Sequence, residues 1–170
     1  MTPPDGRGDS ETRGARPDRA DRAAPDGIRV RAAVPADRLP AARVLDAAGL
    51  AHGPLPPRIR RGELLVAVAD AGPSPTGGPR DGDRGRVVGC LLLDPAPDAL
   101  RITAVAVRRR RRGTGIGTAL VERAADRVRA GGHDRLTAAF DPNVRPFYAV
   151  LGFRIRRRDG RLHGSLRLDD

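Results

Sequence analysis

One stretch constrains this chain more than any other: ITAVAVRRRRRGTGIGTALVERAADRV, residues 102–128. An alternating apolar segment runs into five arginines, Arg108 to Arg112, and then into Gly113, Gly115 and Gly117. Ile116, Leu120, Ala124 and Val128 follow at every fourth position, with Glu122, Arg123, Asp126 and Arg127 on the opposite side. The alternation reads as a strand and the four-residue recurrence as an amphipathic helix, closed by Gly131-Gly132. At a helix N-terminus the first N–H groups have no intrahelical partner, and the dipole favours an anion. Glycines let the backbone take positive φ and approach a phosphate closely. The stretch therefore predicts a strand, an anion-binding loop and a helix, in that order.

The remaining pattern supplies partners for this unit. IRVRAAV reads as a strand, and PADRLPAARVLDAAGL as a helix with Leu39, Ala42, Leu45 and Ala48 on its apolar side, stopped by Gly49. GPLPPRIRRG is a turn-rich connector with room for a short helix, and ELLVAVADA and RVVGCLLLD are strands. PAPDA turns RVVGCLLLD into LRITAVAV, most simply as an antiparallel pair. Downstream come the strand DRLTAAF, the short helix NVRPFYAVL with its N-cap near Asn143, and GFRIRR with RLHGSLRL as a hairpin across Asp159-Gly160. The order β-α-β-β-β-α-β-α-β-β is a mixed sheet with helices packed on it, not a doubly wound parallel fold. Residues 1–26 hold no Val, Ile, Leu or aromatic residue and predict a disordered tail ahead of a domain at 27–170, in which 72–85 is a mobile loop.

Charge needs care here. The net charge is +11, yet all 32 basic residues are arginine. A bias acting on the whole chain makes a protein basic without any polyanion, so the charge alone does not define a nucleic-acid footprint. Nucleic-acid binding through Arg108–Arg112 and Arg156–Arg158 is a competing reading; it lacks aromatic stacking residues and predicts steep salt dependence. Cys90 is the only cysteine, and His52, His133 and His163 lack ligand spacing, so no metal site is expected. The longest apolar run, VVGCLLL, is far too short to span a bilayer, and no apolar signal core opens the chain. The expectation is a cytoplasmic protein with no membrane partner.

Three ligand classes compete for the loop. A P-loop requires GxxxxGK[ST], and the chain has no lysine. A dinucleotide fingerprint requires GxGxxG, whereas these glycines alternate strictly. The third class fits. VAVRRRRRGTGIGTAL resembles the acetyl-coenzyme A signature of the GNAT superfamily of N-acetyltransferases, Arg/Gln-x-x-Gly-x-Gly/Ala, with Arg112, Gly115 and Gly117 in its defining places. The preceding strand, the following helix and the downstream FYAVLGF stand in the family's order. The resemblance implies an α/β (α+β) fold: a GNAT-like mixed, mostly antiparallel central sheet flanked by helices.

It also implies roles. The backbone of Val105, Ala106 and Val107 would pair with the pantetheine arm, and the amides of Gly113, Thr114, Gly115, Ile116, Gly117 and Thr118 would surround the pyrophosphate. Arg112 belongs to the same motif. Arg108 to Arg111 read either as a solvated charge run or as arginines reaching a phosphate. Tyr148, the only tyrosine, would stand beside the sulfur as hydrogen-bond donor to the departing thiolate, inside an apolar cluster of Phe147, Leu151 and Phe153. A main-chain N–H near Val107 would hold the oxyanion. The acetyl acceptor would be a small-molecule or peptide amine, its pocket formed near residues 49–62 and by the last hairpin. No carboxylate stands in LRITAVAV to act as base; Glu63, His52 and His163 qualify only by chemistry. A non-catalytic acyl-coenzyme A-binding domain is the alternative, and a homodimer through the C-terminal strands is compatible with the pattern.

Overall fold

A computed structural model describes residues 24–70 and 85–168 of the 170-residue chain. Strand β1 (Ile28–Ala32) leads through a 3-10 turn into helix α1 (Arg38–Ala47), then the short α2 (Leu55–Arg60) and strand β2 (Leu64–Ala69). Strands β3 (Arg86–Ala96) and β4 (Ala99–Val107) precede helix α3 (Ile116–Ala130), followed by β5 (Arg135–Phe140), α4 (Arg145–Val150), β6 (Arg154–Arg158) and β7 (Arg161–Arg167). The order of strands and helices is the one the sequence predicts, with α2 as the short helix of the connector. The seven strands form one sheet in the order β1-β2-β3-β4-β5-β7-β6, antiparallel throughout except for the parallel pair β4–β5. The predicted tail and the 72–85 loop lie outside the described residues except for Ala24–Asp26 and Gly85. Ala24–Asp26 depart from the tail expectation: Ala24 packs on the core and the Pro25 carbonyl accepts the Ile28 N–H at 2.9 Å.

Both faces of the sheet are covered, which explains why β2 and most of β3 are continuous apolar runs rather than alternating ones. Helix α3 buries Ile116, Leu120, Ala124 and Val128 against one face, as the four-residue recurrence requires. Close approach of α3 leaves no room at Gly89, where a Cβ would lie 3.0 Å from Ile116 Cγ2 and 3.2 Å from Leu120 Cδ1. Helix α1 covers the other face with Ala41, Val44 and Leu45. This corrects the sequence reading. Leu39 is 56% exposed, and the buried stripe is turned because the 3-10 turn Pro35–Asp37 sets where the helix begins. Asp37, the one buried charged residue among those described, closes that turn: it accepts from the Val34 N–H at 2.8 Å and from Arg31 at 2.6 and 3.2 Å.

One irregularity shapes the rest. In the β3–β4 ladder Leu92 faces Ala104 and Leu93 faces Ile102, so Thr103 is an extra residue, a β-bulge. Pairing of β4 with β5 covers only Ala99–Ile102 against Arg135–Ala138 and ends at that bulge, whereas β4 stays paired to β3 as far as Val107. The two central strands part there, leaving the edge of Thr103–Val107 bare toward β5. At the far edge of the sheet, β6 carries Arg154, Arg156, Arg157 and Arg158, charges that blunt an edge strand against pairing with a second copy.

Candidate functional site

The loop after β4 is built to keep its amides open. Arg108 is fastened to β3, its N–H donating to the Val88 carbonyl and its Nε to the Val87 carbonyl, both at 2.8 Å. Arg109–Arg111 make a single 3-10 turn, and the Thr114 hydroxyl donates to the Arg111 carbonyl at 2.6 Å. Gly113 (φ +74°) and Gly115 (φ +89°) lie in the left-handed region that side chains avoid. Gly115 caps α3, and its carbonyl accepts the Ala119 N–H at 3.0 Å. None of the six amides from Gly113 to Thr118 donates to an acceptor among the described residues. They form a contiguous set of open donors at the positive end of a 15-residue helix, the arrangement an anion requires.

The glycines divide their tasks. Nothing lies within 4 Å of a Cβ placed on Gly113, so it faces open space, and Pro25 borders Gly115 at 3.4 Å. Gly117 is small for a packing reason the sequence did not reveal: a Cβ there would lie 3.2 Å from the Phe147 ring of α4. Arg112, exposed, turns back to donate from Nε to the Val107 carbonyl at 3.2 Å, tying the loop to the end of β4. Of the arginine run, Arg108 thus has a structural task, while Arg109–Arg111 lie at the surface.

Tyr148 stands on the other lip of the parted strands. Its ring stacks on Phe140, at the end of β5, with centroids 4.1 Å apart and planes at 14°. Phe147 and Phe153 meet it edge-on, each at 5.1 Å. The apolar cluster expected from the sequence is present, and Phe140 is the member that reading missed. The hydroxyl has no hydrogen-bond partner among the described residues, and burial pushes the phenol up to about 12. A neutral donor is therefore the form present at ordinary pH. Asn143 does not cap α4. Residues Pro142–Val144 form a 3-10 turn, Val144 occupies the N-cap, and no side chain bonds the first amides. The N-cap thus falls one residue later than the sequence reading placed it, after a 3-10 turn that opens on Pro142.

Where the strands part, a cleft of ≈ 530 Å³ opens, lined by His52, Pro57, Arg58, Arg61, Leu92 and Thr103 among others. The sequence pointed to residues 49–62 without singling out Arg58, Arg61 or the bulge residue Thr103; no local signal marks them. Arg58 donates from Nη1 to Asp94 Oδ1 at 2.6 Å and to the Leu93 carbonyl at 3.4 Å. Arg61 grips Glu63 through Nε and Nη2 at 2.7 and 3.1 Å. Both ring nitrogens of His52 are engaged, one by the Gly53 carbonyl at 2.7 Å and the other by Asp46 at 3.1 Å. His163 is exposed on β7. Cys90 is wholly buried in β3 with its thiol pushed up to about 12 by desolvation, which suits a core residue and not an acyl carrier. Among the described residues no helix is long and apolar enough to cross a membrane.

A mixed sheet parted at a bulge, with open amides on one lip and a buried phenol on the other, is the arrangement that the resemblance to acetyltransferases implies. Comparison with known proteins agrees. The acetyltransferase (GNAT) family model matches residues 57–153, and the chain belongs to this family. No curated protein sequence matches the chain. Among solved structures, the fold is similar to N-acetylglutamate synthase from Neisseria gonorrhoeae complexed with coenzyme A and N-acetyl-glutamate (22% identity, TM-score 0.66). That match covers 84% of this chain and 35% of the other, so the chain spans about a third of that protein. It is also similar to Ard1 from Thermoplasma volcanium (17%, TM-score 0.67, 85% and 99% covered). A third is the PaiA N-acetyltransferase from Thermoplasma acidophilum in complex with coenzyme A (14%, TM-score 0.66, 83% and 99% covered). At these identities the likeness is one of fold.

Proposed function

We propose that residues 27–170 transfer an acetyl group from acetyl-coenzyme A to a primary amine by direct attack, in a cytoplasmic setting. The observation that carries this reading is the row of six open amides, Gly113 to Thr118, running on from the bare strand edge that ends at Val107. A diphosphate suits the first, and the two amides of a pantetheine arm suit the second. The coenzyme A held by the Neisseria synthase and by PaiA, on similar folds, supports the assignment.

In this reading the backbone of Val105, Ala106 and Val107 aligns the arm along β4, so the thioester lies between the lips where Tyr148 stands. The amine enters from the cleft at Thr103 and attacks the carbonyl carbon. The carbonyl oxygen takes up negative charge, which a main-chain N–H near Val107 stabilises. As the C–S bond breaks, Tyr148 donates a hydrogen bond to the sulfur. Catalysis comes chiefly from holding amine and thioester together. Glu63 is committed to Arg61, and both ring nitrogens of His52 are already engaged, by the Gly53 carbonyl and by Asp46, so the amine's proton passes to water. That lack of a placed base is what favours the second reading, a non-catalytic acyl-coenzyme A-binding domain.

Calorimetry with coenzyme A, followed by thiol release across a panel of amines and mass analysis of the product, separates the readings. An acetyltransferase binds the carrier and releases thiol with at least one amine; a binding domain takes up the carrier and releases none. Gly115→Val, forced to φ +89°, should weaken coenzyme A binding at least tenfold. Absence of any uptake by the wild-type chain would sink both.

A further inference from the structure

Beyond acetyl transfer itself, we infer that the acceptor amine carries its own oxyanion, a carboxylate or a phosphate, and that Arg58 and Arg61 recognise it; this rests on the acetyltransferase reading of the same site. Among the described residues the ionisable side chains lining the cleft are His52, Arg58 and Arg61, and no carboxylate lines it. Asp94 and Glu63 hold the two guanidiniums without lining the cleft themselves. A guanidinium has five N–H donors in a fixed fork and stays charged at any working pH. Arg58 uses only Nη1 on its partners and Arg61 uses Nε and Nη2. Nε and Nη2 of Arg58 and Nη1 of Arg61 therefore have no partner among the described residues.

These two arginines are also held in place. The Arg58 side chain is 20% exposed and bonded to Asp94, with Glu63 at 3.9 Å, so little rotamer freedom is lost when it meets a ligand. Charge-assisted bonds from preset donors favour an oxyanion. An acceptor bearing a second cation would meet guanidiniums with no lining carboxylate to offset them. The oxyanion belongs to the acceptor and not to the acyl carrier, because Thr103 precedes Val107 by four residues, about 13 Å of extended strand. The phosphate-type donors of Gly113–Thr118 lie further along still.

The test compares matched amines: alanine, glutamate and phenylalanine against their α-amides, phosphoethanolamine against ethanolamine, and spermidine as a cation. Members with an oxyanion should show kcat/KM at least tenfold above their neutral partners, and the better of the two arms identifies carboxylate or phosphate. Arg58→Gln and Arg61→Gln should raise KM for the favoured acceptor about tenfold while leaving its amide and acetyl-coenzyme A unaffected, so that the discrimination collapses. A folding defect would lower all substrates together. Arg61, 61% exposed at its side chain, is the variant whose fold is safest. Equal turnover of acids and amides, or preference for spermidine, overturns the inference and leaves the acetyltransferase reading standing. If no amine is turned over, that reading fails, and calorimetry of N-acetylalanine against N-acetylalaninamide on coenzyme A-loaded protein decides the inference. Tenfold tighter binding of the acid supports it, and equal binding overturns it.

Discussion

Tyr148→Phe removes a single oxygen and leaves the ring packing in place. The stack on Phe140 and the edge contacts with Phe147 and Phe153 do not involve the hydroxyl, and the hydroxyl has no partner among the described residues. Stability should therefore change by less than about 0.5 kcal/mol. Function should respond differently. With the phenol at about 12 and a thiol near ~8.5, full proton transfer to the departing thiolate is uphill by roughly 5 kcal/mol. Tyr148 is thus a hydrogen-bond donor to the sulfur and not a source of a free proton. A hydrogen bond to a charged group contributes about 1.5–3 kcal/mol, which corresponds to a loss of roughly 10- to 150-fold in kcat. The assay is coenzyme A release followed with a thiol reagent, alongside calorimetry and thermal unfolding; buried Cys90 adds no signal in the folded protein. The expected result is a lower kcat with coenzyme A affinity and unfolding midpoint unchanged. A variant with wild-type kcat refutes the hydrogen-bond argument, and a parallel loss of affinity and kcat would mean that the phenol merely shapes the binding site.

Other perturbations test other links. Gly117→Ala places a Cβ 3.2 Å from the Phe147 ring, so that ring must give way by a few tenths of an ångström; we expect a loss of about 1 kcal/mol on denaturant titration together with weaker coenzyme A binding. Cys90 and Tyr148 are pushed by burial from 9.0 and 10.0 to about 12, so the unfolded chain loses these protons first and stability falls as pH rises. The decline should begin near pH 9 through Cys90 and near pH 10 through Tyr148, reaching about 4 and about 2 kcal/mol by pH 12. Urea midpoints measured from pH 8 to 11 check this, and Cys90→Ala should flatten the part between 9 and 10. Asp37→Ala leaves the Val34 N–H and the Arg31 guanidinium without their acceptor and should cost roughly 2–3 kcal/mol, seen as a lower thermal midpoint; an unchanged midpoint would mean that water replaces the carboxylate.

Local physics carried the sequence far. The four-residue recurrence of Ile116, Leu120, Ala124 and Val128 fixed the face of α3, because a helix can bury only one side against a sheet. Alternating glycines ahead of that helix marked the open amides, since glycine accepts the positive φ values found at 113 and 115 without steric cost. Asp159-Gly160 marked the final hairpin, and both residues have positive φ. What the pattern could not contain is where β4 leaves β5. In the sequence Ile102, Ala104 and Ala106 alternate and belong on one face. In the structure Ile102 packs with α3, and Ala104 and Ala106 pack with α1, because the bulge at Thr103 exchanges the faces. A bulge arises from how two strands match across a ladder, a property of no single segment. The same holds for Arg58, on a short helix, and Arg61, at its C-cap, ordinary arginines until Asp94 and Glu63 fix them beside the bulge. The sequence alone determined the elements and the anion-binding turn. The opening between the strands, and what faces it, was decided only by packing across long separations.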